Sequence, residues 1–377
     1  MFGRKHSRMD KLIPLFYPPK QNVDRMLKEI RDTLSGRWWG QGSKVDEFEE
    51  KFGERFGFKY CVMTNSGTAA LHLAYILAGI KRGDRVIVPV LTCTATCHPL
   101  KMMEADIEFA DIRKDTLTLD PDDLRSRNSG IEKAIVAVHL GGLVSDAYKI
   151  RRIANRWRVK VIEDACQALG AKGVGYGDYT CFSFQAIKSL STGDGGMLVV
   201  RNRGDYLRAK RLRWFSIDRE EKAKKNWQAW DRRGITFEQE EVGFKYQPTD
   251  IDASIGLAAL DDFDANLKQR HHLVRLYREE LASCKKVELL RGGNSADWLF
   301  MVKVKEDRDG FAEKLLRVGI ETNVAHIRND IFKVFGGKRL ALPNMDAVEN
   351  QYLCLPLNNH VTEENVKYIC KVIRGIR

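Results

Sequence analysis

Residues 60–80 read "YCVMTNSGTAALHLAYILAGI". The opening is a short apolar strand, "TNSGT" is a turn, and "AALHLAYILAGI" is a helix. A helix that leaves a strand through a Ser-Gly-Thr turn presents free N–H groups and a partial positive charge at that turn. Gly67 lets a ligand approach the backbone, and Ser66 and Thr68 add hydroxyls, so the turn reads as a phosphate cradle. An ordinary helix cap reads equally well from this stretch alone.

The same strand–helix rhythm continues outward to residue 200. "DRVIVPV", "IEFADI", "KAIVAVHL", "KVIEDA", "TCFSFQAI" and "GMLVV" are strands, and "TATCHPLKMME" and "DAYKIRRIANRW" are helices. Strands this apolar and β-branched predict a parallel or mixed sheet covered by helices on both faces. Ahead of it, residues 26–52 carry an amphipathic helical pattern broken by "SGRWWGQGSK". Behind it, 250–282 is one long helix with Thr249-Asp250 as its capping region. "DWLFMVKV", "IETNVA" and "QYLCLPL" then read as strands, and "RDGFAEKLLRVG" and "TEENVKYICKVIRGI" as helices. The fold class is therefore α/β, a large domain with a smaller C-terminal α+β domain. The expected divisions are an N-terminal arm at 1–25, a large domain at 26–258 and a small domain at 259–377.

The chain has 377 residues, 44% of them hydrophobic and 30% charged, as expected of a soluble globular protein. No apolar run approaches the roughly 20 residues of a membrane helix, and "LIPLFY" is too short for a signal-peptide core. A cytoplasmic protein without membrane contact is expected. The eight cysteines form no C-x-x-C pair. "CTATCH" has one residue too many for haem attachment and no second cluster for zinc, so no metal is expected, only reduced thiols. The net charge is +12, and residues 201–233 hold twelve basic against five acidic residues. That segment reads as a nucleic-acid groove, a solvated helical face, or cations awaiting a small anion. The solvated face is favoured, without nucleic acid, and Arg213 is a candidate for an anionic substrate.

Two further stretches carry chemistry. "VIEDACQALGA" at 161–171 delivers Glu163 and Asp164 to the C-terminal end of a strand, where open α/β sheets bind ligands. "FSFQAIKSLSTGDGG" at 182–196 holds Lys188, which is either a lysine snorkelling to the surface or a Schiff-base lysine made nucleophilic by partial desolvation. A cradle, a carboxylate and a lysine at strand ends of one sheet form the set that pyridoxal phosphate asks for. Its aldehyde needs the lysine, its ring nitrogen an acid, and its phosphate a helix N-terminus.

The ordered motifs "NSGTAALHLA", "EDACQALGA", "FSFQAIKSLSTGDGGM" and "GFKYQPTDIDASIGLAAL" resemble the DegT/DnrJ/EryC1/StrS sugar aminotransferases, fold-type I enzymes of the aspartate aminotransferase kind. The resemblance runs from about residue 12 to the C-terminus. It implies that Lys188 holds pyridoxal phosphate covalently and works as acid and base, and that Asp164 pairs with the pyridine nitrogen. It implies that Gln167 sits beside the phenolic oxygen and that Gly67, Thr68 and Ser183 contact the phosphate. Glu163 should point away from the cofactor. Two positions depart from the pattern. Cys93 stands where many members stack an aromatic ring on the cofactor. Lys245 stands where many carry an Asn that reaches a partner subunit's phosphate, which implies a homodimer with shared active sites. His326 falls near a family histidine at the sugar site, and Trp39 near the site's mouth. The implied reaction takes an amino group from L-glutamate, leaves pyridoxamine phosphate, and passes the amine to a nucleotide-linked keto-sugar, most often a 4-keto-6-deoxyhexose. A dehydratase of the same fold would have lost the lysine, and a non-catalytic regulator would need none of the set.

Overall fold

The computed structural model describes residues 12–127, 130–218 and 239–376. Helices α1 (Val23–Leu34) and α2 (Ser43–Phe56) precede β1 (Tyr60–Thr64) and α3 (Gly67–Leu77). Then come β2 (Arg85–Pro89), α4 (Thr94–Met102), β3 (Asp106–Ala110), α5 (Pro121–Ser126), β4 (Glu132–Val138), α6 (Ala147–Trp157) and β5 (Lys160–Asp164). β6 (Tyr179–Ser183), β7 (Gly196–Val200) and α7 (Arg203–Leu212) complete this part.

These strands form one sheet in the order β1-β7-β6-β5-β4-β2-β3. Strands β2 to β6 are mutually parallel, and β7 runs antiparallel to both β1 and β6. One edge therefore collects the C-terminal ends of every strand but β7, together with the N-terminal end of β7. Thr64 and Ser183 both register with Gly196 there.

Alternate residues of each strand bury opposite faces, as the pleat requires. Val86, Val88, Ala134, Val136 and Ile162 pack with Leu71 of α3 and Leu100 of α4. Ile87, Ile135, Ala137 and Val161 pack with Ile150, Ile153 and Ala154 of α6. Met63, Phe182 and Met197 pack against Phe48 and Phe52 of α2. Each Val, Leu, Ile, Met or Phe among them contributes about 1.5–3 kcal/mol when fully buried, so the central strands read as apolar on both faces because both are covered.

Helix α8 (Asp250–Leu281) opens with a reciprocal capping box between Thr249 and Asp252. The neighbouring Asp250 carboxylate accepts from Gly42 N at 2.7 Å and Val45 N at 3.2 Å, so it caps α2 as well. The first half of α8 buries Ala253, Leu257 and Phe263 with α2. Its second half buries Leu273, Val274, Tyr277 and Leu281 in another core. That core belongs to β8 (Val287–Leu289), β9 (Phe300–Val304), α9 (Arg308–Arg317), β10 (Tyr352–Leu355) and α11 (Glu363–Gly375), whereas α10 (Pro343–Val348) buries Met345 and Val348 with the core of the large sheet. The sheet here is antiparallel, β10-β9-β8.

The segment "IETNVA" is not a strand. It makes isolated bridges at Ile320 to Ile13 and at Asn323 to Cys354, and Ala325 has a φ of 58°, which turns the chain away from a ladder. β6 stops at Ser183, so Lys188 lies in the turn beyond it rather than at the strand's last residue. β8 and α5 have 3 and 6 residues, too short for periodicity to reveal. Among the described residues no helix is long and apolar enough to cross a membrane. All eight cysteines are unpaired.

Candidate active site

A cavity of about 430 Å3 opens at the strand-end edge of the large sheet. Ser66, Gly67, Thr68, Cys93, Asp164, Gln167, Ser183, Lys188 and His326 all line it. The side chains that sequence reading gathered from five separate segments thus meet in one place.

The cradle depends on a close backbone approach. Ser66 caps α3 by accepting from Ala69 N at 3.1 Å, and among the described residues nothing accepts its hydroxyl proton. A Cβ on Gly67 would lie 2.8 Å from the Ser183 Cβ and 3.0 Å from the Cys166 sulfur. A Cβ on Gly196 would lie 2.5 Å from the Ser66 carbonyl and 2.6 Å from the Gly67 nitrogen, backbone atoms with no room to move. Gly196→Ala is therefore expected to cost about 1–3 kcal/mol of stability by overpacking and to weaken cofactor retention. Thermal melting and cofactor titration check both.

Asp164 ends β5 with its carboxylate fixed. Oδ2 accepts from the Thr96 hydroxyl at 2.7 Å, and Oδ1 from Cys166 N at 3.2 Å. Since Thr96 donates to the carboxylate, the 2.7 Å contact with Thr92 has Thr92 donating to Thr96. Glu163 points the other way, where Gly175 N and Gly177 N each donate to it at 2.6 Å. His139 Nδ1 accepts from Ser145 N at 3.1 Å, so its Nε2–H donates to Glu163 at 3.3 Å.

The Lys188 amine lies 3.9 Å from the centre of the Trp298 ring. Trp298 is held in turn by donating to the Ile187 carbonyl at 3.0 Å. Burial pushes the Lys188 amine below its ordinary range, with the charge of Asp164 among the groups pulling it back up. A depressed amine pKa favours the neutral nucleophile. Gln167 accepts from Gly141 N at 2.6 Å and faces His326 at 2.8 Å. Cys93 is half-buried at the start of α4, and burial raises its thiol pKa, so it meets the cavity as a neutral group.

Three sequence-expected residues lie outside the cavity lining. Arg213 is fully buried and bonds Glu49 and the Met63 carbonyl, so it props the end of β1 beneath the cradle instead of meeting substrate. Arg213→Ala would leave Glu49 buried without its cation, at a cost of about 3–5 kcal/mol. The expected signature is a lower melting temperature rather than a selective rise in KM. Trp39 is 55% exposed and its carbonyl accepts from Asp250 N at 3.1 Å. Lys245 is exposed, with its amine 5.8 Å from the Phe215 ring. Of the basic segment, residues 219–233 lie outside the described residues. Thr96, Gly141 and Trp298 are positioning groups that sequence reading did not single out.

The DegT/DnrJ/EryC1/StrS aminotransferase family matches residues 20–374. This chain belongs to that family. It is 30% identical to the sugar aminotransferase CalS13 from Micromonospora echinospora, with a TM-score of 0.89 over 97% of this chain and all of that one (100%). The aminotransferase Spr1654 from Streptococcus pneumoniae, a putative sugar enzyme solved in PLP and PMP forms, is 26% identical in both. The TM-scores are 0.86 over 97% of this chain and 98% of that one, and 0.88 over 96% and 98%. The GDP-perosamine synthase of Escherichia coli O157:H7 is 28% identical over 96% of this chain and 98% of its own. Like its family, this enzyme is a pyridoxal-phosphate-dependent sugar aminotransferase. The site fits that cofactor. The cavity has the size for a small ring with a phosphate, two glycines clear the cradle, and an acid and a desolvated amine share its walls.

Proposed function

We propose that this enzyme transfers an amino group from L-glutamate to a nucleotide-linked keto-sugar, of the 4-keto-6-deoxyhexose class, within surface polysaccharide or glycoside synthesis. The observation that carries the reading is the meeting of Lys188, Asp164 and Gln167 with the Ser66–Thr68 cradle in one cavity. The GDP-perosamine synthase and CalS13 likenesses support a sugar acceptor.

Ser66, Gly67, Thr68 and Ser183 would hold the cofactor's phosphate, Asp164 its ring nitrogen and Gln167 its phenolic oxygen. Cys93 would pack against the ring with less surface than an aromatic side chain. When bound, pyridoxal phosphate supplies an aldehyde that captures amines and a protonated ring that draws off the electron pair of a neighbouring carbon. Lys188 would hold its aldehyde carbon, and the free amine would take the proton from the donor's α-carbon at Nζ. In the return half the same amine gives a proton back at the sugar's reacting carbon. Thr92 and Thr96 fix the Asp164 carboxylate at the cavity wall, where it would meet the ring nitrogen. Lys245 would extend to the phosphate of a second copy in a homodimer. Its charge suits that ligand, and its side chain is exposed; reaching across would exchange its 2.9 Å bond to the Gln247 amide oxygen for the phosphate.

The test is turnover of the cofactor-loaded enzyme with L-glutamate and a panel of nucleotide keto-sugars. Formation of 2-oxoglutarate and amino sugar in equal amounts supports the proposal. Amino sugar formed from other donors but not from glutamate overturns the donor assignment. A panel that yields no amino sugar overturns the acceptor class.

A further inference from the structure

We infer that His326 is a positioning and specificity residue, held as the neutral imidazole with its proton on Nδ1, which clamps Gln167 through Nε2 and offers Nδ1–H as a fixed donor to the sugar. The clamp follows from the structure, whereas the donor role rests on the sugar-aminotransferase reading above.

The hydrogen-bond inventory leaves one arrangement. Gly141 N can only donate, and it lies 2.6 Å from Gln167 Oε1. That contact fixes the amide orientation, because the flipped amide would set two donors against each other. Gln167 Nε2 therefore faces His326 Nε2 at 2.8 Å. An amide nitrogen only donates, so His326 Nε2 must accept. An imidazole that accepts at Nε2 is neutral and carries its hydrogen at Nδ1.

The surroundings make this rigid. Leu299 N donates to the Gly141 carbonyl at 2.9 Å, which holds the turn that aims the Gly141 N–H. Gly141 has a φ of 64°, and a Cβ there would lie 2.5 Å from the end of Met301. On the other side, the Tyr352 hydroxyl donates to the His326 carbonyl at 2.9 Å. Burial, and then the charge of Lys188, push the His326 pKa down to about 4. The ring is therefore no proton shuttle at neutral pH. Among the described residues nothing accepts from its Nδ1, and the ring lines the cavity. That N–H is the donor left for a carbonyl or hydroxyl oxygen of the sugar. One N–H of the Gln167 amide is spent on His326, and the other remains for the cofactor.

Nitrogen-15 histidine NMR of the full-length, cofactor-loaded enzyme tests the clamp, with the His326 signals assigned by their absence in His326→Gln. The expected result is an Nδ1-protonated neutral ring that does not titrate near neutral pH. Gln167→Glu keeps the acceptor for Gly141 but removes the donor, and should move the His326 proton to Nε2. An Nε2-protonated or charged ring in the wild type overturns the clamp, as does a tautomer unchanged in Gln167→Glu. For the donor, His326→Phe should raise the keto-sugar KM about tenfold, the loss of one hydrogen bond, and His326→Gln should raise it less. An unchanged KM in His326→Phe overturns the donor role. The tautomer reading does not depend on turnover, so a wrong substrate class and a wrong tautomer are told apart.

Discussion

Lys188→Ala is expected to lower turnover by at least about 10³-fold, toward the upper end of what a positioned acid–base group contributes, while the protein stays folded. The side chain is half-buried, and its desolvated amine lies over the Trp298 ring and donates no hydrogen bond to a described residue. Removing it breaks no hydrogen bond or ion pair, so the melting temperature of the cofactor-free protein should hold or rise slightly. The loaded variant should lose the visible absorption that marks a lysine-bound cofactor. An exogenous small amine would restore part of the proton transfer but not the anchoring. Stopped-flow absorbance and a thermal melt on the same sample separate these effects. Turnover within tenfold of wild type would remove Lys188 from the chemistry.

Asp164→Asn should have the second largest effect. Thr96 Oγ1 and Cys166 N already fill one lone pair on each carboxylate oxygen, and the remaining face looks into the cavity. A neutral amide cannot balance a cation on the ring nitrogen. Breaking a buried charge pair from one side costs about 3–5 kcal/mol, or roughly 10²- to 10⁴-fold in rate. The amide also meets two donors with a single acceptor, which leaves one of them unsatisfied. The cofactor should still bind through Lys188 and the cradle. The loss should therefore fall on kcat, with the visible band retained but shifted. Single-turnover kinetics with L-glutamate measure it, and a loss confined to KM would contradict the role given to Asp164.

The large sheet and the heart of the site were legible because their signals are local. The central strands of the large sheet are largely apolar on both faces, and the cradle, Asp164 with Gln167, and Lys188 each sit within a few residues of a strand end. What was not legible depends on partners far along the chain. Thr96 meets Asp164 across 68 residues, and Trp298 is tied to Ile187 across 111. Arg213 stood in a basic segment and read as an anion ligand, yet its acid is Glu49, 164 residues earlier. His326 was expected near the sugar site, and it lines the cavity. Its tautomer is set by Gln167, 159 residues before it, and no local pattern encodes that. The bridges at Ile320 and Asn323 show the converse, an alternating stretch with no neighbour to complete a ladder.

The most direct measurement is the visible spectrum of the purified, pyridoxal-phosphate-loaded enzyme before and after L-glutamate. The account predicts a visible band that disappears in favour of near-ultraviolet absorption of pyridoxamine phosphate, with one 2-oxoglutarate released per site. Failure to take up the cofactor, or a visible band indifferent to every amino donor, would contradict it.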